Sequence, residues 1–209
     1  MKKMLCSTAM LLGMVLLSAT ANANLIVNGS FEQPGEGVRT NFANAPTIAG
    51  WQSSRSFEIW DLFGLPSYDG FQHLELNASG TGPWSIWQDF ETEAGNWYTL
   101  SFAAAGRGNS DSLSVELANS AICLGQRCRS TPSFIEDTVE LTKNVWQLFT
   151  YSFQAQADRS QIKFTSVTPN SSLGNFIDDV RVVPSPSIAL LFGMGLLGLA
   201  LSVRQRKAK

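Results

Sequence analysis

Three carboxylates in this chain have the setting of cation ligands. Across Asn175–Val182, strict alternation puts Phe176, Asp178 and Val180 on one face and Ile177, Asp179 and Arg181 on the other. Both faces are partly apolar, so at least one of the two aspartates borders a core. A carboxylate there has to be ion-paired, hydrogen-bonded or metal-bound. Glu32 follows the apolar Leu25-Ile26-Val27 and Phe31. Carboxylates joined by backbone carbonyls are the oxygen donors that Ca²⁺ prefers. The competing partners are Arg181 and backbone N–H groups.

Other residues suit a sugar. Flat aromatic faces stack on the C–H faces of sugar rings, while amides and carboxylates hydrogen-bond the hydroxyls. Of six tryptophans, Trp84 stands in the turn Gly80-Thr81-Gly82-Pro83-Trp84 and is expected to be exposed. Trp60 ends a probable strand before Asp61. Trp51 and Trp146 read as core. Catalytic groupings are sparse. His73 is the single histidine and lies inside a strand pattern. No nucleophile elbow, histidine pair or phosphate loop occurs. Glu58, Asp61, Asp69 and Glu75 would form a glycosidase pair only if two of them faced each other across a cleft, about 5–10 Å apart. The chain is therefore read as non-catalytic.

The elements that must position these residues are strands. Leu113, Val115 and Leu117 alternate with Ser112, Ser114 and Glu116; Tyr98, Leu100 and Phe102 share one face, as do Phe149, Tyr151 and Phe153, and Ile162 pairs with Phe164. Shorter strands are expected at Leu25–Val27, Phe57–Trp60, Phe71–Leu76, Ser85–Phe90 and Asn175–Val182. Turn-forming Gly, Asn, Pro and Ser separate them. This pattern is all-β, a sandwich or barrel. Cys123 and Cys128, four residues apart in a short loop, are expected to pair once the chain is exported.

The two ends differ from the middle. Met1-Lys2-Lys3, the apolar run Ala9–Leu17 and Ala21-Asn22-Ala23 have the layout of a secretory signal peptide cleaved after Ala23. Residues 188–203 form a 16-residue apolar stretch containing Gly193, Gly195 and Gly198, followed by Arg204-Gln205-Arg206-Lys207. That reads as a short membrane helix with a cytoplasmic basic end. All 17 acidic residues but only 9 of the 15 basic ones lie between these ends, giving the middle net −8. Such a charge excludes a binder of the nucleic-acid backbone.

Val183-Pro184-Ser185-Pro186-Ser187, the apolar stretch and the basic end together resemble a PEP-CTERM sorting signal, with Ser185 where Glu usually stands between the prolines. The resemblance implies processing by an exosortase-type enzyme near Pro184 and Pro186 in a Gram-negative bacterium, with delivery to the cell envelope or outside the cell. The middle resembles the galactose-binding-like jelly roll shared by many carbohydrate-binding modules. Its opening Asn24-Leu25-Ile26-Val27-Asn28-Gly29-Ser30-Phe31-Glu32, Gly50-Trp51, Asp69–Leu76, and closing Asn175-Phe176-Ile177-Asp178-Asp179-Val180 carry the likeness. It implies a jelly-roll β-sandwich whose terminal strands meet around a structural Ca²⁺ held by Glu32 with Asp178 or Asp179. The expected organisation is a signal helix over 1–23, the β-sandwich over 24–183 and a sorting tail with its membrane helix over 184–209. The expected role is glycan or exopolysaccharide binding in the extracellular matrix, with Trp60 and Trp84 as ligand-stacking residues. The alternatives are a structural or protein-binding matrix module without sugar affinity and, behind it, a glycosidase.

Overall fold

The computed structural model describes residues 24–185 apart from 34–40, 46–47, 56, 62–63, 78–81, 121, 125–126, 130–131 and 169–170. Ala23, Pro186 and both expected helices lie outside the described residues. Within them the chain is an all-β sandwich of jelly-roll type, built from two antiparallel sheets.

One sheet has six strands in the order β1(Asn41–Ala45), β3(Phe57–Asp61), β4(Gln72–Glu75), β13(Asn175–Pro184), β6(Trp97–Gly106), β11(Gln147–Gln154). The other has five: β10(Ser133–Leu141), β7(Asp111–Asn119), β12(Arg159–Thr168), β5(Ser85–Glu91), β2(Gln52–Ser53). A small hairpin, β8(Ile122–Leu124) and β9(Arg127–Arg129), sets Cys123 directly opposite Cys128 in its ladder. Alternation along the strands delivers the core. Leu100, Phe102 and Ala104 of β6 and Ile177 and Val182 of β13 face Leu113, Val115 and Leu117 of β7 and Ile162 and Phe164 of β12, all fully buried. The Phe102 and Phe164 rings meet edge-on at 4.8 Å between centroids, an arrangement aromatic quadrupoles favour.

Three local features depart from the sequence reading. Leu25–Val27 is a succession of bends and turns rather than a strand. Asn24 takes over its hydrogen bonding there, accepting the Ile26 and Val182 N–H groups and donating to the Val180 carbonyl. The opening and closing segments nonetheless lie together, since Val180 donates to Gly29 and Leu25 to Val182. In β13 the register slips between Asp178 and Arg181, and Asp179 has φ +50°. This bulge switches the phase of the strand. Val180 therefore joins Ile177 in the core, while Asp178 and Phe176 face outward. Finally, β10 was not legible as a strand. It is an edge strand whose exposed positions carry Glu136, Asp137 and Glu140, charges of the kind that blunt an open sheet edge.

Phe102→Ala should lower the unfolding free energy by about 3–5 kcal/mol, read by chemical denaturation. Val167→Ala, at a 44% exposed position, should change it by less than about 0.5 kcal/mol.

Candidate functional site

The six-stranded sheet is buried on both faces over half its width. Its outer face presents Glu58 and Trp60 from β3, His73 and Glu75 from β4, Ala103 and Ala105 from β6, and Phe176 and Asp178 from β13, none more than 8% exposed. Trp60, Ala105 and Phe176 form a second apolar cluster, flanked by Leu65 and Trp146. The wall over it is the 64–71 segment between β3 and β4.

Glu75 is the hub of this face. Its carboxylate is fully buried and receives Trp60 Nε1 at 2.7 Å, the Gly174 N–H at 2.8 Å and Arg107 Nη1 at 2.7 and 3.0 Å on its two oxygens. The Arg107 guanidinium lies over the Trp60 ring, 4.9 Å from its centroid, a cation–π contact worth roughly 0.5–2 kcal/mol. Asp111 fixes the backbone beneath by accepting the Arg107 and Gly108 N–H groups, both at 2.7 Å. Glu58, the cross-strand partner of Glu75, also faces Trp60 Nε1, at 3.3 Å. Burial, and then the charge of Glu75, push its carboxyl up to about 7. Burial alone drives His73 down to about 4. Its Nδ1 meets Ser67 Oγ at 2.9 Å.

Above this network opens a cleft of about 390 Å³, with Trp60, Arg107 and Phe176 from the sheet side, Gly64, Leu65 and Pro66 from the wall, and Asn144 from the turn before β11. That volume falls in the range of small-molecule sites, ~300–1,000 Å³. Tyr68, 45% exposed, stands edge-on to Trp146 at 6.2 Å on the same face.

Two of the expected cation ligands hold the wall instead. Asp178 Oδ2 accepts the Tyr68 and Asp69 N–H groups at 2.8 and 2.9 Å, and Oδ1 accepts that of Asp179. Glu32 Oε1 accepts the Phe71 and Gln72 N–H groups at 2.6 and 2.7 Å. Gly70 between them has φ +69°, and a Cβ there would press on the Glu32 carboxylate, so a side chain would be strained and would push Glu32 from its two N–H donors. Asp179 pairs with Arg181. Among the described residues no three His, Cys, Asp or Glu side chains gather as a metal site. Each of the three has partners of its own: backbone N–H groups for Glu32 and Asp178, and the Arg181 guanidinium for Asp179. Burial nevertheless pushes the Asp178 carboxyl up to about 8.

The expected sugar-stacking pair is not brought together. Trp84 is buried, contrary to its turn setting, because Asn77 Oδ1 takes its N–H and its carbonyl takes that of Ser166. Arg55 covers its ring at 5.9 Å. Trp60 does reach the cleft, but is itself only 6% exposed. Trp51 packs in the core as expected. The expected core residue Trp146 is half-buried on the outer face, and Trp97 is 53% exposed. Pro184 closes β13 beside Tyr98. Arg107 and Asn144 were missed by sequence reasoning. The available signal was Glu75, an acid inside the apolar His73-Leu74-Glu75-Leu76 strand, which demands a buried cation or donors.

The sequence profile of the DUF642 family, described as proteins of unknown function, matches residues 24–183. The chain belongs to the DUF642 family. No curated protein matches it. The DUF642 fold is similar to that of TmCBM61, solved in complex with β-1,4-galactotriose, at 14% identity and TM-score 0.54 over 78% of this chain and 100% of that one. It is similar also to the CBM22-1 xylan-binding domain of Xyn10C from Paenibacillus barcinonensis, at 12% identity and TM-score 0.50 over 81% and 99%. A third likeness is to part of the arabinose-bound α-L-arabinofuranosidase MgGH51, at 12% identity and TM-score 0.55 over 78% of this chain and 26% of that chain. At these identities the likeness is one of fold.

Two outcomes follow for this DUF642 domain. Glu58 and Asp178 bind protons in the folded state that the unfolded chain has released, so their contribution to stability falls as pH rises from about 4 to about 8. His73 acts oppositely between about 4 and 6.5, because the folded state refuses a proton that the unfolded chain takes up. The terms partly cancel in acid and leave a net decline above about pH 6.5. Calorimetry should show a melting temperature several degrees lower at pH 8.5 than at pH 6.5, and Asp178→Asn should shrink that difference. Separately, Glu32→Gln weakens charge-assisted bonds worth about 1.5–3 kcal/mol each. At ~2–4 °C per kcal/mol, its melting temperature in EDTA should drop by several degrees.

Proposed function

We propose that this DUF642 chain is an exported, non-catalytic protein of the cell envelope or extracellular matrix that binds glycan in the Trp60–Arg107–Asn144 cleft. The observation that carries this reading is the cleft's make-up. An arginine is held rigid by a fully buried carboxylate and an indole face, with an exposed amide opposite and apolar walls of Leu65, Pro66 and Phe176. Fixed donors for hydroxyls beside apolar surface for C–H faces are what sugar recognition needs. The likeness of the sandwich to carbohydrate-binding modules supports it.

Hydrolysis fits the same residues poorly. Glu58 and Glu75 do face each other from adjacent strands, but both are buried and turned to one donor, Trp60 Nε1, at 3.3 and 2.7 Å. Carboxyls committed in this way beneath the cleft are poorly placed to flank a glycosidic bond. Delivery would use the amino-terminal signal and the Pro184–Lys209 tail, inserted in the membrane and then processed by an exosortase-type enzyme. In the oxidising space outside the inner membrane, Cys123 and Cys128 would be bonded. Their direct opposition in the β8–β9 ladder supports this, and thiol titration of the oxidised, denatured chain should find neither of them free.

A glycan array read with the full chain in detergent micelles tests the main reading. Arg107→Lys keeps a cation for Glu75 but loses the planar fork and stacking face. It should lower affinity for the bound glycan by about tenfold, roughly 1.4 kcal/mol, in calorimetric titration. Unchanged affinity would move the site elsewhere.

A further inference from the structure

Given glycan binding at this cleft, the charge of its floor decides which sugars enter. Among the described residues lining it, Arg107 is the one charged side chain, and its Nη1 is already committed to both oxygens of Glu75. Glu58 lies directly across the ladder from Glu75, with Trp60 Nε1 between the two carboxyls at 2.7 and 3.3 Å. The other ionisable groups on this face add no free cation. His73 is buried and neutral above about pH 4. Asp178 is taken up by three backbone N–H groups. Asp111 accepts two more behind Arg107. Lys143, next to Asn144, is exposed and does not line the cleft.

We infer that the cleft takes an uncharged sugar unit and rejects uronates, and that a proton on Glu58, across the ladder from Glu75, keeps Trp60 and Arg107 in the binding arrangement. A uronate carboxylate would be the third carboxyl group around one guanidinium, in a domain of net −8. It would have to break the buried Arg107–Glu75 pair or remain unpaired itself, and either is costly. A neutral sugar asks only for hydrogen bonds from the part of Arg107 that reaches solvent, whose side chain is 30% exposed, and from the Asn144 amide. Loss of the Glu58 proton leaves two adjacent anions facing one cation. Their repulsion opposes the geometry in which both carboxyls meet Trp60 Nε1. Affinity therefore falls as pH rises through the raised range of Glu58, at most about tenfold per pH unit for one linked proton.

The test uses the full chain in detergent micelles. Affinity electrophoresis and calorimetric titration measure binding to β-1,4-galactan, xylan and polygalacturonate at pH 6 and pH 8.5. Expected are retention by at least one neutral polymer, none by polygalacturonate, and weaker retention at pH 8.5. Glu58→Gln, which keeps the size of the side chain without an ionisable proton, should reduce the pH effect to less than about threefold. Preference for polygalacturonate overturns the inference while leaving glycan binding standing, as does a pH effect as large in Glu58→Gln as in the wild type. No retention by any polymer at either pH removes the glycan reading itself and this inference with it. Should Glu58→Gln fail to fold, the wild-type comparison of neutral polymer with uronate, at both pH values, decides alone.

Discussion

A fully buried carboxylate must be given partners, and in this protein Glu75 makes that demand on the whole outer face of one sheet. Stranding such a charge costs several kcal/mol, so the positions of its donors are fixed together. Trp60 has to turn its indole edge inward. Arg107 has to reach back from the end of β6. Gly174 has to bring its N–H close, and a Cβ at that residue would overlap the Leu76 carbonyl. The cleft is the space left above these commitments. Its rigidity comes from the desolvated ion pair, and its electrostatic character from the acid, Glu58, that the β3–β4 register sets beside that pair.

The same logic builds the wall. The 64–72 segment crosses an apolar patch and is hydrogen-bonded at six of its nine residues. Pro66 accepts from Trp146, Ser67 meets His73, Tyr68 and Asp69 donate to Asp178, and Phe71 and Gln72 donate to Glu32. Two carboxylates from opposite ends of the chain thus grip one loop. Oriented N–H dipoles offset the desolvation of both carboxylates.

The two ends of β6 separate two tasks in the proposed envelope setting. Arg107 and the cleft follow its last residue, Gly106. Its first residues, Trp97 and Tyr98, lie beside Pro184 and Ser185, where β13 leaves the sheet toward the tail. Ten residues of strand hold these points roughly 30 Å apart. The Ser185 N–H bond to the Trp97 carbonyl also ties the folded body up to the edge of the Pro184–Ser187 motif.

By itself the sequence determined the architecture, because two-residue alternation is a local property. Leu113–Leu117, Tyr98–Phe102 and Ile162–Phe164 announce their buried faces without reference to any partner strand. Sequence also marked Glu32 and the Asp178/Asp179 pair as carboxylates beside apolar residues that need partners. Only the tertiary structure decided what those partners are. A bulge at Asp179 reversed the facing of Val180, and a one-residue phase shift of that kind leaves no mark in alternation. Trp84 was drawn inward by bonds to Asn77 and Ser166, residues 7 and 82 positions away. Arg107 became the centre of the cleft through Glu75, 32 residues before it. Burial and charge pairing are sums over neighbours in space, and a one-dimensional pattern does not contain them.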